Sequence, residues 1–150
     1  MEKRTRLYVD ADACPVKKEI VAITDPFGID PIFVASYASF VNEQQSTWVF
    51  VDQEKDSADL YIINHVDPGD VVITQDFGLA SLVTGRGVFV LTVRGILIDE
   101  NSIPELLNRR FLSYKSLAAG RKIKGPKPFT DEDRKKFSDA LTKLLCRLGH

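Results

Sequence analysis

The stretch VVITQD, residues 71–76, is an apolar run that ends on polar residues. Val71, Val72 and Ile73 are β-branched, and a run of such residues favours a strand that is buried on both faces of a sheet. Similar runs recur along the chain and alternate with segments of helical composition. This alternation predicts an α/β fold in which helices cover both faces of a mainly parallel central sheet.

The segments around this strand are assigned from the same kind of pattern. We predict strands at 6–10, 31–35, 47–51, 71–74 and 88–93, with a candidate hairpin partner at 96–98. The predicted helices are 15–24, 56–66, 78–84, 102–110, 113–119 and 131–147. Cys14 is expected to cap the first helix, because Pro15 suits a first turn, and Thr130 with Asp133 predicts a capping box at the last. A basic loop is expected at about 120–129, and residues 1–150 are expected to form one domain.

The composition is that of a soluble globular protein. Hydrophobic residues make up 44% of the 150 residues, which is enough for a core without disulfide support. Cys14 and Cys146 lie far apart and belong to no CxxC motif, and this spacing argues against a structural zinc site. No segment has the layout of a signal peptide or a membrane span, so we expect a cytoplasmic protein without a membrane partner.

Charge is distributed unevenly along the chain. Residues 1–100 contain 8 Lys and Arg against 16 Asp and Glu, whereas residues 101–150 contain 12 against 5. Seven basic residues and no acidic one lie between positions 109 and 127. Such asymmetry favours an anionic partner for the basic part. A solvated tail, or a basic arm that folds back onto the acidic half, explains it equally well.

Aspartates lie at or beside the ends of apolar runs. The candidates for a functional site are Asp10, Asp12, Asp56, Asp59 and Asp76. Since the carboxyl ends of parallel strands share one edge of a sheet, we expect Asp10, Thr74 and Asp76 to meet at that edge. Asp76 and Asp56 each have a simpler explanation as a helix cap, whereas Asp10 and Asp12 are not well placed for one, because Cys14 is the expected cap of the first helix. We assign the turn role to Asp70, in the Pro-Gly-Asp turn.

Asp59 is the most informative of these acids. Ala58, Leu60 and the residues that follow are apolar, which predicts a helix that is buried on nearly every side. A carboxylate in such a helix needs a partner, because burying an unpaired charge is costly. Asp56 lies three residues earlier and projects from the same face of the helix. In the alternative interpretation Asp56 caps the helix and Asp59 accompanies it.

Together these acids predict a metal site. Like charges at one edge raise one another's pKa unless a cation neutralises them. The chain has only two histidines, so carboxylates would hold the ion, and carboxylates favour Mg²⁺ or Mn²⁺ over Zn²⁺. We therefore predict one or two of these ions at the five aspartates, in a site suited to phosphoryl chemistry.

Four motifs carry a family resemblance: VDADACPVKKEI at 9–20, KDSADLYII at 55–63, GDVVITQDFGLA at 69–80 and PKPFTDEDRKKFSDAL at 126–141. In this order they resemble the YaiI/YqxD family of uncharacterised bacterial proteins over nearly the whole chain. That family is similar to PIN-like domains, so the resemblance implies a three-layer α/β/α PIN-like fold with a helical C-terminal part. At Phe77 and Gly78 the chain differs from the β-branched residue and proline expected in the family.

The resemblance also implies an activity, because many PIN-like domains are metal-dependent ribonucleases. Thr74 and Asp76 match the Thr-x-Asp of PIN domains, and Asp10 matches their first-strand aspartate. Asp59, or Asp56, stands near their helical acid. The resemblance thus implies catalytic roles for Asp10, Asp59, Asp76 and Thr74 in phosphodiester hydrolysis, with RNA as the expected nucleic acid.

Basic residues would bind the phosphate backbone of such a substrate, which gives affinity without sequence preference. The candidates are Arg94, Arg109, Arg110, Arg121, Lys122 and Lys124.

Two other functions stay open from the sequence. Asp10-Ala11-Asp12 after a strand also resembles the start of a haloacid-dehalogenase-type phosphatase, in which Asp10 attacks phosphorus. A non-catalytic nucleic-acid-binding module would keep the fold and the basic arm but would hydrolyse nothing. Cys14 is expected to be a small buried cysteine and not a reactive thiol.

Overall fold

A computed structural model describes residues 5–11, 14–36, 47–51, 58–98 and 128–149. The strands are β1 (Leu7–Asp10), β2 (Ile32–Ser36), β3 (Thr47–Val51), β4 (Val71–Ile73), β5 (Phe89–Leu91) and β6 (Leu97–Ile98). The helices are α1 (Lys17–Thr24), α2 (Ala58–His65), α3 (Phe77–Thr84) and α4 (Asp131–Arg147), with a short 3₁₀ helix at Asp25–Phe27.

The six strands form one sheet in the order β3-β2-β1-β4-β5-β6. All neighbouring strands are parallel except β5 and β6, which form the expected antiparallel pair. Val9 in β1 lies beside Phe33 of β2 on one side and Ile73 of β4 on the other. The prediction of a mainly parallel sheet is therefore confirmed.

Side chains of β1 point alternately into two cores, as the pleat of a strand requires. Leu7 and Val9 belong to the core on one face of the sheet, which α1 and α4 cover with residues such as Phe137. Tyr8 belongs to the core on the other face, where α2 and α3 contribute residues such as Ile62. Helices thus cover both faces, and the three-layer α/β/α fold is confirmed.

The order of the strands creates a switch point between β1 and β4. From β1 the chain moves outward through β2 to β3, and it then returns to the other side of β1 to add β4 and β5. Connections on the two sides of this point leave the sheet in opposite directions, which opens a crevice at the carboxyl ends of the two strands. Asp10 is the last residue of β1, and Thr74 directly follows β4.

The predicted elements of the described ranges are present with shifts of at most two residues at their ends. The strand at 47–51 and the helix at 131–147 coincide with β3 and α4. The predicted capping box is also present, since the hydroxyl of Thr130 accepts from the N–H of Asp133 and the carboxylate of Asp133 accepts from the N–H of Thr130. The predicted helices at 102–110 and 113–119, and nearly all of the loop at 120–129, lie outside the described residues.

Two local predictions are wrong. Helix α1 begins at Lys17 with Val16 as its N-cap, so that Cys14 caps nothing and Pro15 precedes the helix. The first helical hydrogen bond runs from the N–H of Ile20 to the carbonyl of Val16, two residues later than expected. Helix α2 is not buried on every side, because an outer-layer helix packs only one face against the sheet, and Leu60 is 45% exposed.

Helix α4 packs closely against the turn between β5 and β6. Gly95 in that turn has φ +86°, and a Cβ there would lie 2.7 Å from the backbone carbonyl of Lys136. Any larger residue would therefore push α4 away from the turn. In the described part of the chain, no helix is long and apolar enough to cross a membrane.

At the sheet edge opposite the crevice, the side chain of Asp70 stabilises the turn that precedes β4. Asp70 is 1% exposed, and its carboxylate accepts from the backbone N–H groups of Arg6 at 3.0 Å and Asp67 at 2.8 Å. It thus joins the start of β1 to the start of β4. The turn role assigned to Asp70 is confirmed.

We expect Asp70→Asn to destabilise the protein by about 2 kcal/mol, because the amide group retains one acceptor oxygen and turns a donor toward the second N–H. Urea denaturation measures the free energy of unfolding. Asp139→Asn is the matched control, since Asp139 is exposed on α4 and its change is expected to stay within about 0.5 kcal/mol. Equal stability of both variants would contradict this account of the turn.

Candidate active site at the carboxyl edge of the sheet

Asp10 and Thr74 meet at the switch point. The Thr74 hydroxyl donates a hydrogen bond of 3.1 Å from Oγ1 to Oδ2 of Asp10, across 64 positions of sequence. Thr74 is buried and Asp10 is half-buried. The predicted meeting of these two side chains at the carboxyl edge is what the structure shows.

Asp76 is linked to this pair through its backbone. Its N–H donates to Oγ1 of Thr74 at 3.0 Å, so that the threonine hydroxyl accepts from Asp76 while it donates to Asp10. The side chain of Asp76 is the N-cap of α3, and its Oδ1 accepts from the N–H groups of Gly78 and Leu79 at 2.9 and 3.3 Å. The simpler explanation of Asp76 as a helix cap therefore applies. These bonds use one carboxylate oxygen of an exposed side chain.

Asp59 lies in the first turn of α2 and is half-buried. Helix α2 packs on β1, β2 and α3, on the face of the sheet that includes Tyr8. Asp10 follows Tyr8 by two positions, and the alternation of the strand directs its side chain toward the same face. Asp10, Asp59 and Asp76 thus lie on the face of the sheet that α2 and α3 cover.

These three acids are not a metal centre by themselves. Among the described residues, no group of three or more His, Cys, Asp or Glu side chains is placed to hold a metal ion. The donor atoms fit Mg²⁺ or Mn²⁺ in kind, because carboxylate and hydroxyl oxygens are hard ligands. Asp12 and Asp56, the other two aspartates of the predicted site, lie outside the described residues.

Arg94 lies beyond the carboxyl end of β5, in the turn that leads to β6. Its guanidinium forms an ion pair of 2.8 Å with Asp133 and lies 5.8 Å from the centre of the Phe129 ring. These contacts fasten the start of α4 to the turn. The N–H of Thr130 holds the pKa of Asp133 below its ordinary value, and the Thr130 hydroxyl and Arg94 act in the same direction.

The predicted phosphate-binding role of Arg94 stays a prediction. The remaining basic candidates lie outside the described residues, namely Arg109, Arg110, Arg121, Lys122 and Lys124.

Arg134, which no motif in the sequence singles out, lies beside the loop that follows β1. Its guanidinium donates to the carbonyl of Pro15 at 2.8 Å and to Oε1 of Glu19 at 3.1 Å, and it lies 5.1 Å from the centre of the Phe129 ring. Arg134 is 119 positions from Pro15, and no local pattern in the sequence indicates such a contact.

Cys14 is buried beside α1. Burial raises the pKa of its thiol from 9.0 to about 11, because the charged thiolate is poorly solvated there. The expectation of a small buried cysteine is confirmed.

We expect Cys14 to react with a thiol reagent much more slowly than exposed Cys146 at pH 8, because burial raises the pKa of Cys14 from 9.0 to about 11 and thereby lowers its thiolate fraction about a hundredfold. The difference should shrink as the pH rises toward 11. Single-thiol variants Cys14→Ser and Cys146→Ser with an aromatic disulfide reagent give the two rates separately. Similar rates at pH 8 would show that the thiol is not buried.

We expect Thr74→Val to lower stability by about 1–2 kcal/mol, because the N–H of Asp76 then loses its buried acceptor and the carboxylate of Asp10 loses one hydrogen bond. Thr74→Ser keeps the hydroxyl and serves as the matched variant. Thermal and urea unfolding of the two variants provide the measurement. If the valine variant is as stable as the serine variant, the hydroxyl does not link the two segments.

Comparisons with known proteins agree with the motifs. The family model described as "Uncharacterized BCR, YaiI/YqxD family" matches residues 8–147. A UPF0178 protein of Bacillus cytotoxicus is 44% identical over 145 residues, which cover 97% of this chain and 95% of the relative. A UPF0178 protein of Bacillus velezensis is 46% identical over 146 residues, with coverages of 96% and 87%. No solved structure matches the chain. The chain therefore belongs to the YaiI/YqxD family.

Proposed function

We propose that this protein is a metal-dependent nuclease that hydrolyses phosphodiester bonds of nucleic acid, with RNA as the substrate expected. The observation that supports the proposal most is the hydrogen-bonded pair of Asp10 and Thr74 at the switch point of the sheet. Open α/β sheets bind their ligands in the crevice at this point. A carboxylate and a hydroxyl held together there are groups that phosphoryl chemistry uses.

The distribution of charge supports an anionic substrate. The acidic residues of the candidate site all lie in the N-terminal two thirds of the chain, whose excess of acid is balanced by a basic C-terminal third. A phosphodiester needs cationic groups to offset its charge, and lysine and arginine supply them without reading the base sequence. A bound Mg²⁺ or Mn²⁺ would add charge neutralisation and lower the pKa of a coordinated water.

The roles of the protein's own residues follow from their hydrogen bonds. Asp10 would hold an ion with its carboxylate, in an orientation that Thr74 fixes by donating to Oδ2. Thr74 cannot rotate freely, because its oxygen also accepts from the N–H of Asp76. Asp76 keeps Oδ1 on the helix cap, so a ligand would be bound through its other oxygen, Oδ2. Asp59 with Asp12 and Asp56 would complete the set of donors.

The first test is calorimetric titration of Mn²⁺ and Mg²⁺ into the wild type and into Asp10→Asn, Asp59→Asn and Asp76→Asn. Each variant removes one charge, and asparagine still caps helices well, so α3 keeps its N-terminus in the third variant. We expect each variant to bind Mn²⁺ about tenfold to a hundredfold more weakly than the wild type. Asp139→Asn is the control, because its exposed carboxylate on α4 should have no effect.

The same proteins are then assayed for hydrolysis of labelled RNA with and without Mn²⁺. Cleavage by the wild type that requires the metal and disappears in Asp10→Asn supports a nuclease. Absence of metal binding at millimolar concentration in the wild type overturns the proposal. Trapping of a phosphorylated Asp10 with a phosphomonoester would instead identify a phosphatase. RNA binding without turnover would identify a binding module.

A further inference from the structure

We infer that Phe77 is a stacking platform for an unpaired base and that the site therefore takes single-stranded nucleic acid. This inference rests on the proposed function, to which it adds the form of the substrate. Phe77 differs from the β-branched residue expected in the family at this position.

Phe77 is partly exposed at the start of α3 and is not among the residues that this helix buries. It is the first residue of α3 and is 40% exposed, whereas the residues that α3 buries are Leu79, Ala80, Val83 and Thr84. The cap of this helix comes from the side chain of Asp76 and needs nothing from Phe77. Its ring stacks on no other aromatic ring of the described residues. A ring that is 40% exposed next to the candidate site leaves part of its surface accessible to a ligand.

The backbone at Phe77 is held firmly beside the candidate site. The preceding residue is tied to Thr74 by its N–H and to Gly78 by its carboxylate, at 3.0 and 2.9 Å. Thr74 in turn contacts Asp10. A ring attached to such a segment loses little freedom when a ligand binds, which favours affinity.

An exposed phenyl ring favours single-stranded over double-stranded nucleic acid. Every base has a π-face that can stack on an aromatic side chain, but in a duplex these faces are already covered by neighbouring bases. A strand with an unpaired base gains the stacking contact, whereas a duplex does not. A phosphodiester strand without bases gains nothing from Phe77.

Leu82 provides a matched comparison on the same helix. It is 59% exposed and apolar, but it is aliphatic and lies five residues further along α3, away from the carboxyl edge. A general loss of apolar surface would affect a substitution at Leu82 as much as one at Phe77. A stacking contact at this end of α3 depends on the ring of Phe77 and is not affected by a substitution at Leu82.

The test is binding of a fluorescein-labelled RNA strand of about 12 nucleotides, a length that fits single-strand sites, measured by anisotropy in EDTA so that hydrolysis does not intervene. The comparison probes are a strand of equal length made only of abasic nucleotides and the matching RNA duplex. The proteins are the wild type, Phe77→Ala, Phe77→Trp and Leu82→Ala. Circular dichroism and thermal unfolding confirm that each variant is folded.

We expect the wild type and Phe77→Trp to bind the base-bearing strand about tenfold more tightly than the abasic strand and the duplex. Phe77→Ala should bind the base-bearing strand about tenfold more weakly and lose this preference, with unchanged affinity for the abasic strand. Leu82→Ala should behave as the wild type. The inference is overturned if Phe77→Ala keeps the preference, if it weakens both strands equally, or if the wild type binds neither strand.

Hydrolysis of the same RNA strand with Mn²⁺ separates this inference from the proposed function. If the preference depends on Phe77 but no protein hydrolyses the strand, the stacking site stands and the nuclease proposal fails. If the wild type hydrolyses RNA and Phe77→Ala does so with the same kcat/KM, the nuclease proposal stands and the stacking site fails.

Discussion

The parallel pairing of β1 with two neighbours is the constraint on which the rest of the structure depends. Because β2 and β4 both run parallel to β1, the chain must cross back through helices, and these helices cover both faces of the sheet. The pleat then divides the strand between two cores, with Val9 on one face and Tyr8 on the other. It also brings Asp10 and the end of β4 to one edge.

At this edge the hydrogen bonds that stabilise the fold also orient the candidate site. The hydroxyl of Thr74 joins Asp10 to the segment that starts α3, and Asp76 caps that helix while its N–H holds the same hydroxyl. Asp70, in the turn before β4, differs from these residues because it has only a structural role. Both of its oxygens accept backbone N–H groups in a buried turn, so its carboxylate is occupied by structure alone.

Helix α4 reaches the same edge from the other face of the sheet. Its first turns are held by the close contact at Gly95, by the ion pair of Arg94 with Asp133, and by the bonds of Arg134 to Pro15 and Glu19. The ion pairs are partly exposed, so each contributes little to the free energy of folding. Burial of the apolar side chain of Phe137 contributes more. The helix thereby supports the loop that follows β1 without adding a group to the candidate site.

The sequence by itself determined the local features: the strands and helices of the described ranges, the capping box at Thr130, the turn at Asp70 and the buried state of Cys14. The elements and the capping box depend on hydrogen bonds, sterics or apolar spacing within a few residues, which a linear pattern records. The turn at Asp70 and the burial of Cys14 also need the folded chain, because Asp70 accepts from Arg6 across 64 positions and Cys14 belongs to a core that includes Phe137. Only the tertiary structure decided which face of α2 meets solvent, where α1 begins, and that Arg134 contacts Pro15 across 119 positions. Those outcomes depend on which strands become neighbours, and the cost of closing such long loops is repaid by contacts that exist only once the sheet is assembled.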